Sequence, residues 1–190
     1  MLNAAFLKDV FSTALPYDAY VATGNASQRE NWKHIHESAQ LAPDQERLIS
    51  GFARNMNVLV SSGVWCGDCV QQCPLLARIA EAADDRIDLR FVDRDQHPEL
   101  ARHIQINAGL RVPVVLFMAE DFELVSVVGD RTLSRYRALA AKQLGASCPL
   151  PGAPIPTEEI AATLQDWLDE FERVHLLLRL STRLRQLHGD

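Results

Sequence analysis

Trp65-Cys66-Gly67-Asp68-Cys69 stands at the join of two patterns. Before it, Val58, Leu59 and Val60 form a short apolar run that reads as a buried strand. Gly63 permits a turn, and from Cys66 the apolar spacing is helical as far as Ala83. The first cysteine therefore opens a helix, and the second lies one turn along it.

That spacing suits disulfide chemistry. Residues three apart share a helix face at about 5–6 Å, within the separation a disulfide spans. The unsatisfied N–H groups and dipole of a first helical turn favour a thiolate, which predicts Cys66 as a nucleophile that ionises below a free cysteine. Gly67 leaves the backbone open to a partner, and Trp65 can cover the pair. Such a pair beside a βαβ pattern reads as a redox motif.

A second feature narrows the reading. Arg111-Val112-Pro113 leads into Val114-Val115-Leu116-Phe117-Met118, so a proline opens an apolar run, a position that strands tolerate. Pro74 falls inside the helix that follows the cysteines. W-C-x-x-C at a helix start, a proline within that helix and a proline opening a later strand together resemble the thioredoxin superfamily. Asp93-Arg94-Asp95-Gln96-His97-Pro98 and Val128-Gly129-Asp130 resemble its later segments. The resemblance runs from Asp44 to Gly145 and is greatest with a bacterial thioredoxin-like group that has a helical N-terminal extension and a W-C-G-D-C site.

This resemblance implies an α/β thioredoxin-like fold with a cis Val112–Pro113 bond facing the cysteines. It implies catalysis by Cys66 and Cys69, with Trp65, Gly67, Val112 and Pro113 docking a disulfide-bearing protein or small molecule. No metal or other cofactor is implied; electrons would come from a separate donor. The chain also departs from the family. A buried aspartate six residues before the first cysteine, and a lysine near it, are replaced by Val60 and Phe91. Asp68 is then either a first-turn helix acid that tunes the pair or a proton acceptor for Cys69.

Around the motif the elements alternate. Strands are predicted at Val58–Val60, Ile87–Val92, Pro113–Met118 and Phe122–Val128, with helices at Cys66–Ala83, Pro98–Ile106 and Thr132–Leu144. A βαβ unit followed by ββα predicts a four-stranded mixed sheet flanked by helices. Residues 1–42 read as a helical N-terminal extension, 43–147 as the thioredoxin-like domain and 148–156 as a stiff proline-rich connector. Residues 157–190 read as a long helix, capped by Thr157 and acidic at Glu158 and Glu159. Its apolar stripe runs through Ile160, Leu164, Trp167, Phe171 and Val174, skips in phase, and resumes at Leu177, Leu180, Leu184 and Leu187. That helix either packs on its own domain or presents a face for a homodimer or another partner.

A net charge of −6 with no basic cluster excludes a phosphate-backbone partner, and no run reaches transmembrane length. Leu2 to Val10 contains Asn3, Lys8 and Asp9 and makes a poor export signal, so the expected setting is the reducing cytoplasm. His34 and His36 lie two apart on a helix and point in different directions, a poor pair of ligands. Cys73 stands one turn beyond Cys69 and reads as a small packed hydrophobe, while Cys148 reads as an incidental loop thiol. Three cysteines on one helix lack the converging loops of a structural metal site. The competing class is a non-catalytic thioredoxin-fold interaction module that works through its C-terminal helix.

Overall fold

The structure is a computed structural model that describes residues 2–144 and 157–190. Cys148 and the connector at 148–156 lie outside the described residues. Four helices come first: α1 (Ala4–Thr13), α2 (Tyr17–Ala22), α3 (Ala26–Ser38) and α4 (Pro43–Ser50). Each start has a local cause. Asn3 caps α1 by accepting from the Phe6 N–H, Asn25 and Gln28 close a capping box on α3, and Pro43 occupies the first turn of α4.

The sheet then forms from β1 (Met56–Ser62), β2 (Ile87–Asp93), β3 (Val114–Ala119) and β4 (Leu124–Gly129). Its order is β2-β1-β3-β4. β1 runs parallel to β2 and antiparallel to β3, and β4 pairs antiparallel with β3. Helix α5 (Gly67–Ala82) joins β1 to β2, α6 (Pro98–His103) follows β2, and α7 (Leu133–Leu144) follows β4. The four-stranded mixed sheet with flanking helices, N-terminal extension and long C-terminal helix is the architecture predicted.

Two apolar layers cover the sheet. Beneath α5, Val58, Val60, Phe91, Val115 and Phe117 pack with Trp32, Trp167 and Phe171. On the opposite face, Leu59, Val114, Leu116 and Met118 pack with Leu7, Phe11, Leu100 and Ile104. The N-terminal extension is tied to the sheet edge as well. Leu15 and Phe91 exchange backbone hydrogen bonds at 2.9 and 2.8 Å, so the chain just after α1 pairs briefly with β2.

Several boundaries move from their sequence positions. β1 extends to Met56 and Ser62 because pairing on both sides satisfies its backbone regardless of side-chain polarity. α6 stops at His103, since Ile106 turns back to bridge Gly109. Phe122 leaves the strand altogether; it holds a φ of 68° in the hairpin turn and packs its ring on Phe11. The C-terminal segment is two helices, α8 (Thr157–Leu180) and α9 (Thr182–His188), not one. Ser181 adopts an extended ψ of 115° and its hydroxyl accepts from the Leu184 N–H, which starts the new helix. The buried stripe keeps its phase through Leu178 and not Leu177, and after the break Leu184 is buried while Leu180 and Leu187 stay exposed. The residue that would cap α8 precedes Thr157 and falls outside the described residues. Among the described residues no helix is long and apolar enough to cross a membrane.

Candidate active site

The end of β1 and the start of α5 place the cysteines. Trp32 donates its indole N–H to the Val64 carbonyl at 3.0 Å, which fixes the loop before the motif. Gly63 lies under the Trp65 ring, where a Cβ would come within 2.7 Å of the indole. Trp65 is half exposed, and the Arg94 guanidinium sits 5.0 Å from its ring centroid. Cys66 is the N-cap of α5 and Cys69 its third residue, with Gly67 and Asp68 between. A Cβ at Gly67 would meet nothing within 4 Å, so the surface beside the motif is open. Pro74 lies inside α5 and is buried with Cys73.

The two sulfurs differ in access. Cys66 is partly exposed and Cys69 wholly buried. The Cys66 Sγ points at the Val112 carbonyl at 3.9 Å, a long contact that sets the sulfur against the Val112–Pro113 segment. The Val112–Pro113 peptide is cis. Gly129 backs this segment closely, since a Cβ there would stand 2.4 Å from the Pro113 carbonyl oxygen. The fold thus gathers Trp65, Cys66, Gly67, Cys69, Val112 and Pro113, which lie up to 48 positions apart in a chain of 190 residues. Among the described residues no three His, Cys, Asp or Glu side chains converge as a metal site.

The electrostatics correct one expectation. The hydrogen bond to Cys69, then burial and the like charge of Cys69, drive the Cys66 thiol up; the N–H groups of Cys69 and Asp68 pull it down and do not prevail. Burial drives Cys69 well above the ordinary thiol range. The helix-end donors foreseen from the sequence are present, and burial and the neighbouring thiol oppose them.

Asp68 has partners that the sequence did not disclose. Its carboxylate accepts from Arg131 Nε and Nη2 at 2.9 and 2.5 Å, and Arg135 Nη2 lies 3.5 Å away. Arg131 reaches on to Asp130 at 3.3 Å, and Asp130 also accepts from Arg111 and the Tyr136 hydroxyl. Gln72, fully buried on α5, joins the same region by donating to the Asp130 carbonyl at 2.9 Å and accepting from the Thr132 N–H at 3.3 Å. The carboxylate proposed from sequence as a proton acceptor is therefore engaged through both oxygens. Ser62, beneath the pair, was also missed. Its clue was a hydroxyl at the end of an apolar strand, on the same face as Val58 and Val60.

A family profile described as thioredoxin matches residues 14–141. The chain belongs to the thioredoxin family. No curated protein matches. Among solved structures, a Pseudomonas aeruginosa protein of unknown function is similar with a TM-score of 0.66 and 20% identity, covering 90% of this chain and 99% of its own. An HIV epitope scaffold is similar with a TM-score of 0.60 and 19% identity, over 96% of this chain and 98% of its own. At these identities the two likenesses concern the thioredoxin fold alone.

Proposed function

We propose that this thioredoxin-family chain is a thiol–disulfide oxidoreductase, within the bacterial group that carries a helical N-terminal extension and a W-C-G-D-C site. The observation that carries the reading is the pairing of a partly exposed Cys66 at a helix N-cap, its sulfur against Val112, with a buried Cys69 one turn on. Cys66 attacks a substrate disulfide and forms a mixed disulfide. Cys69 then attacks Cys66, the reduced product leaves, and a Cys66–Cys69 disulfide remains. Trp65, Gly67, Val112 and Pro113 form the docking surface, and a separate donor returns the electrons.

The exchange serves redox balance in a cytoplasmic setting. Insulin disulfide reduction, with Cys66→Ser as the control, tests the class: turnover by the native chain and none by the variant is expected, and no turnover by the native chain overturns it. Mixed-disulfide trapping with Cys69→Ser would identify substrates.

A second role is favoured by the C-terminal helices. Leu176, Leu177, Leu180 and Leu187 are exposed along α8 and α9, with Leu180 at 76%. An apolar stripe of that kind suits a homodimer face. Sedimentation of the native chain against Leu180→Glu checks it, and a monomer in both removes it.

A further inference from the structure

On the thiol–disulfide reading, the surface beside Cys66 selects which disulfides react. A disulfide bond is only about 2.05 Å long, so a substrate sulfur joined to Cys66 brings its neighbours against whatever lies next to that sulfur. What lies there is the Val112 carbonyl, 3.9 Å from the Cys66 Sγ. Strand β3 begins at Val114, so residues 111–113 precede the sheet pairing. Arg111 stands immediately before Val112, with its side chain 42% exposed.

The other arginines near the site are committed. Arg94 donates from Nε to Asp95 at 2.8 Å and from Nη1 to the Leu110 carbonyl at 2.9 Å, and its guanidinium sits against Trp65. Arg131 gives Nε and Nη2 to Asp68 and Nη1 to Asp130. Arg135 is buried between Asp68 and Glu159. Arg111 differs from all three. It donates one nitrogen, Nη1, to Asp130 at 3.0 Å, and among the described residues its Nε and Nη2 have no partner. Those two nitrogens form one edge of the guanidinium, the edge with which Arg131 grips both oxygens of Asp68.

The free edge is also held in place. Asp130 is buried and fixed in turn by Arg131 and the Tyr136 hydroxyl, while Arg94 pins the Leu110 carbonyl one residue before Arg111. A guanidinium restrained in this way loses little further freedom when it binds. The connected ions set Arg111, Arg131, Arg135 and Lys142 against Asp130, Asp68 and Glu159, which leaves one cation in excess. The chain as a whole carries a net charge of −6 and repels acids at a distance. Salt screens that repulsion beyond about 8 Å, so a contact with Arg111 prevails over it.

We propose that Arg111 is a specificity-determining residue that receives a carboxylate from the substrate. The substrate class is a peptide or protein disulfide with aspartate or glutamate within two residues of the attacked cysteine. The Nε–Nη2 edge takes both carboxylate oxygens while Asp130 keeps Nη1.

Symmetric disulfides of three short blocked peptides test this, with the cysteine flanked on both sides by Glu, by Gln or by Lys. Each is mixed with the reduced full chain at low salt, and the rate of peptide thiol release is divided by the rate with dithiothreitol. That division removes the effect of the flanking charge on the disulfide itself. The native chain is expected to prefer the Glu peptide over the Gln peptide about fivefold, the measure of one partly exposed ion pair. About 1 M salt should flatten the preference. Arg111→Gln should bring the ratio to about one, and Arg111→Glu should turn it in favour of the Lys peptide. The ratio is read within each variant, so a general loss of activity does not disturb it. Equal rates for Glu and Gln peptides in the native chain overturn the proposal, as does a preference that survives in Arg111→Gln. If the native chain reduces none of the peptides, the thiol–disulfide reading itself falls and takes the specificity with it.

Discussion

The two faces of the sheet are built differently. Opposite α5, Leu59, Leu116 and Met118 meet Leu7, Phe11 and Leu100 in a layer that does little but exclude water. Beneath α5 the packing is equally tight, but Ser62, Cys69, Gln72 and Cys73 are buried within it. Buried polar groups cost stability unless partnered. Their concentration beneath the helix that carries the cysteines marks where the chain gives up packing for chemistry. One face supports and the other reacts, and mutations should separate them.

The largest expected effect lies at the reacting face. Cys66→Ser should lower disulfide reduction by more than about a hundredfold, because a hydroxyl replaces the attacking thiol. Its stability should stay within about 0.5 kcal/mol of the native chain, since Cys66 is partly exposed and the change is nearly isosteric. Insulin turnover and a urea transition measure the two quantities. A large loss of stability would erase the proposed division between the faces.

Leu116→Ala probes the supporting face. Leu116 is fully buried in β3, so truncation should cost about 2–5 kcal/mol through lost transfer energy and a cavity. Turnover per folded molecule should remain close to native. A fall in turnover at constant folded fraction would show that the supporting face also shapes the site.

Gln72→Ala falls between these cases. Gln72 bridges α5 to the Asp130 carbonyl and the Thr132 amide, so its loss leaves two buried backbone groups unpaired. About 1–3 kcal/mol is expected. Amide hydrogen exchange at Thr132 should accelerate more than at Leu116. Equal acceleration at both would mean that the bridge stabilises the whole sheet and not the reacting side.

Much of this arrangement was legible in the chain itself. The alternation from Val58 to Leu144 yields the four-stranded mixed sheet, because apolar runs and helical stripes are local patterns. The cysteine spacing marks the candidate site in the same way, and the proline before Val114 joins it through the family resemblance. What failed to show was long-range or cooperative. Asp68 meets Arg131 across 63 positions, and no local pattern announces such a pair. Ser62 lay outside the strand predicted at Val58–Val60, and pairing with Asp93 carried β1 two residues further. The lowered thiol pKa foreseen for Cys66 left out the second sulfur, which acts in the opposite sense.

The smallest effect, and the sharpest test of the reacting face, concerns Asp68. Its carboxylate is like-charged with a Cys66 thiolate, and Arg131 and Arg135 offset much of that field. Asp68→Asn removes the negative charge and leaves both guanidinium groups in place, so each consequence stabilises the thiolate. The Cys66 pKa should therefore fall. The side chains of Asp68 and Arg131 are 20% and 23% exposed, so solvent screening keeps the change to about one pKa unit or less. Thiolate absorbance of the reduced proteins, followed against pH, reads the shift directly. A lower pKa with faster attack on dithiobis(nitrobenzoate) would assign Asp68 to tuning. A lower pKa with a slower second thionitrobenzoate release, the step made by Cys69, would instead return Asp68 to the role of proton acceptor for Cys69. An unchanged pKa would mean that Arg131 swings fully onto Asp130 and cancels the substitution, and the ion cluster would then belong to the supporting part of the molecule.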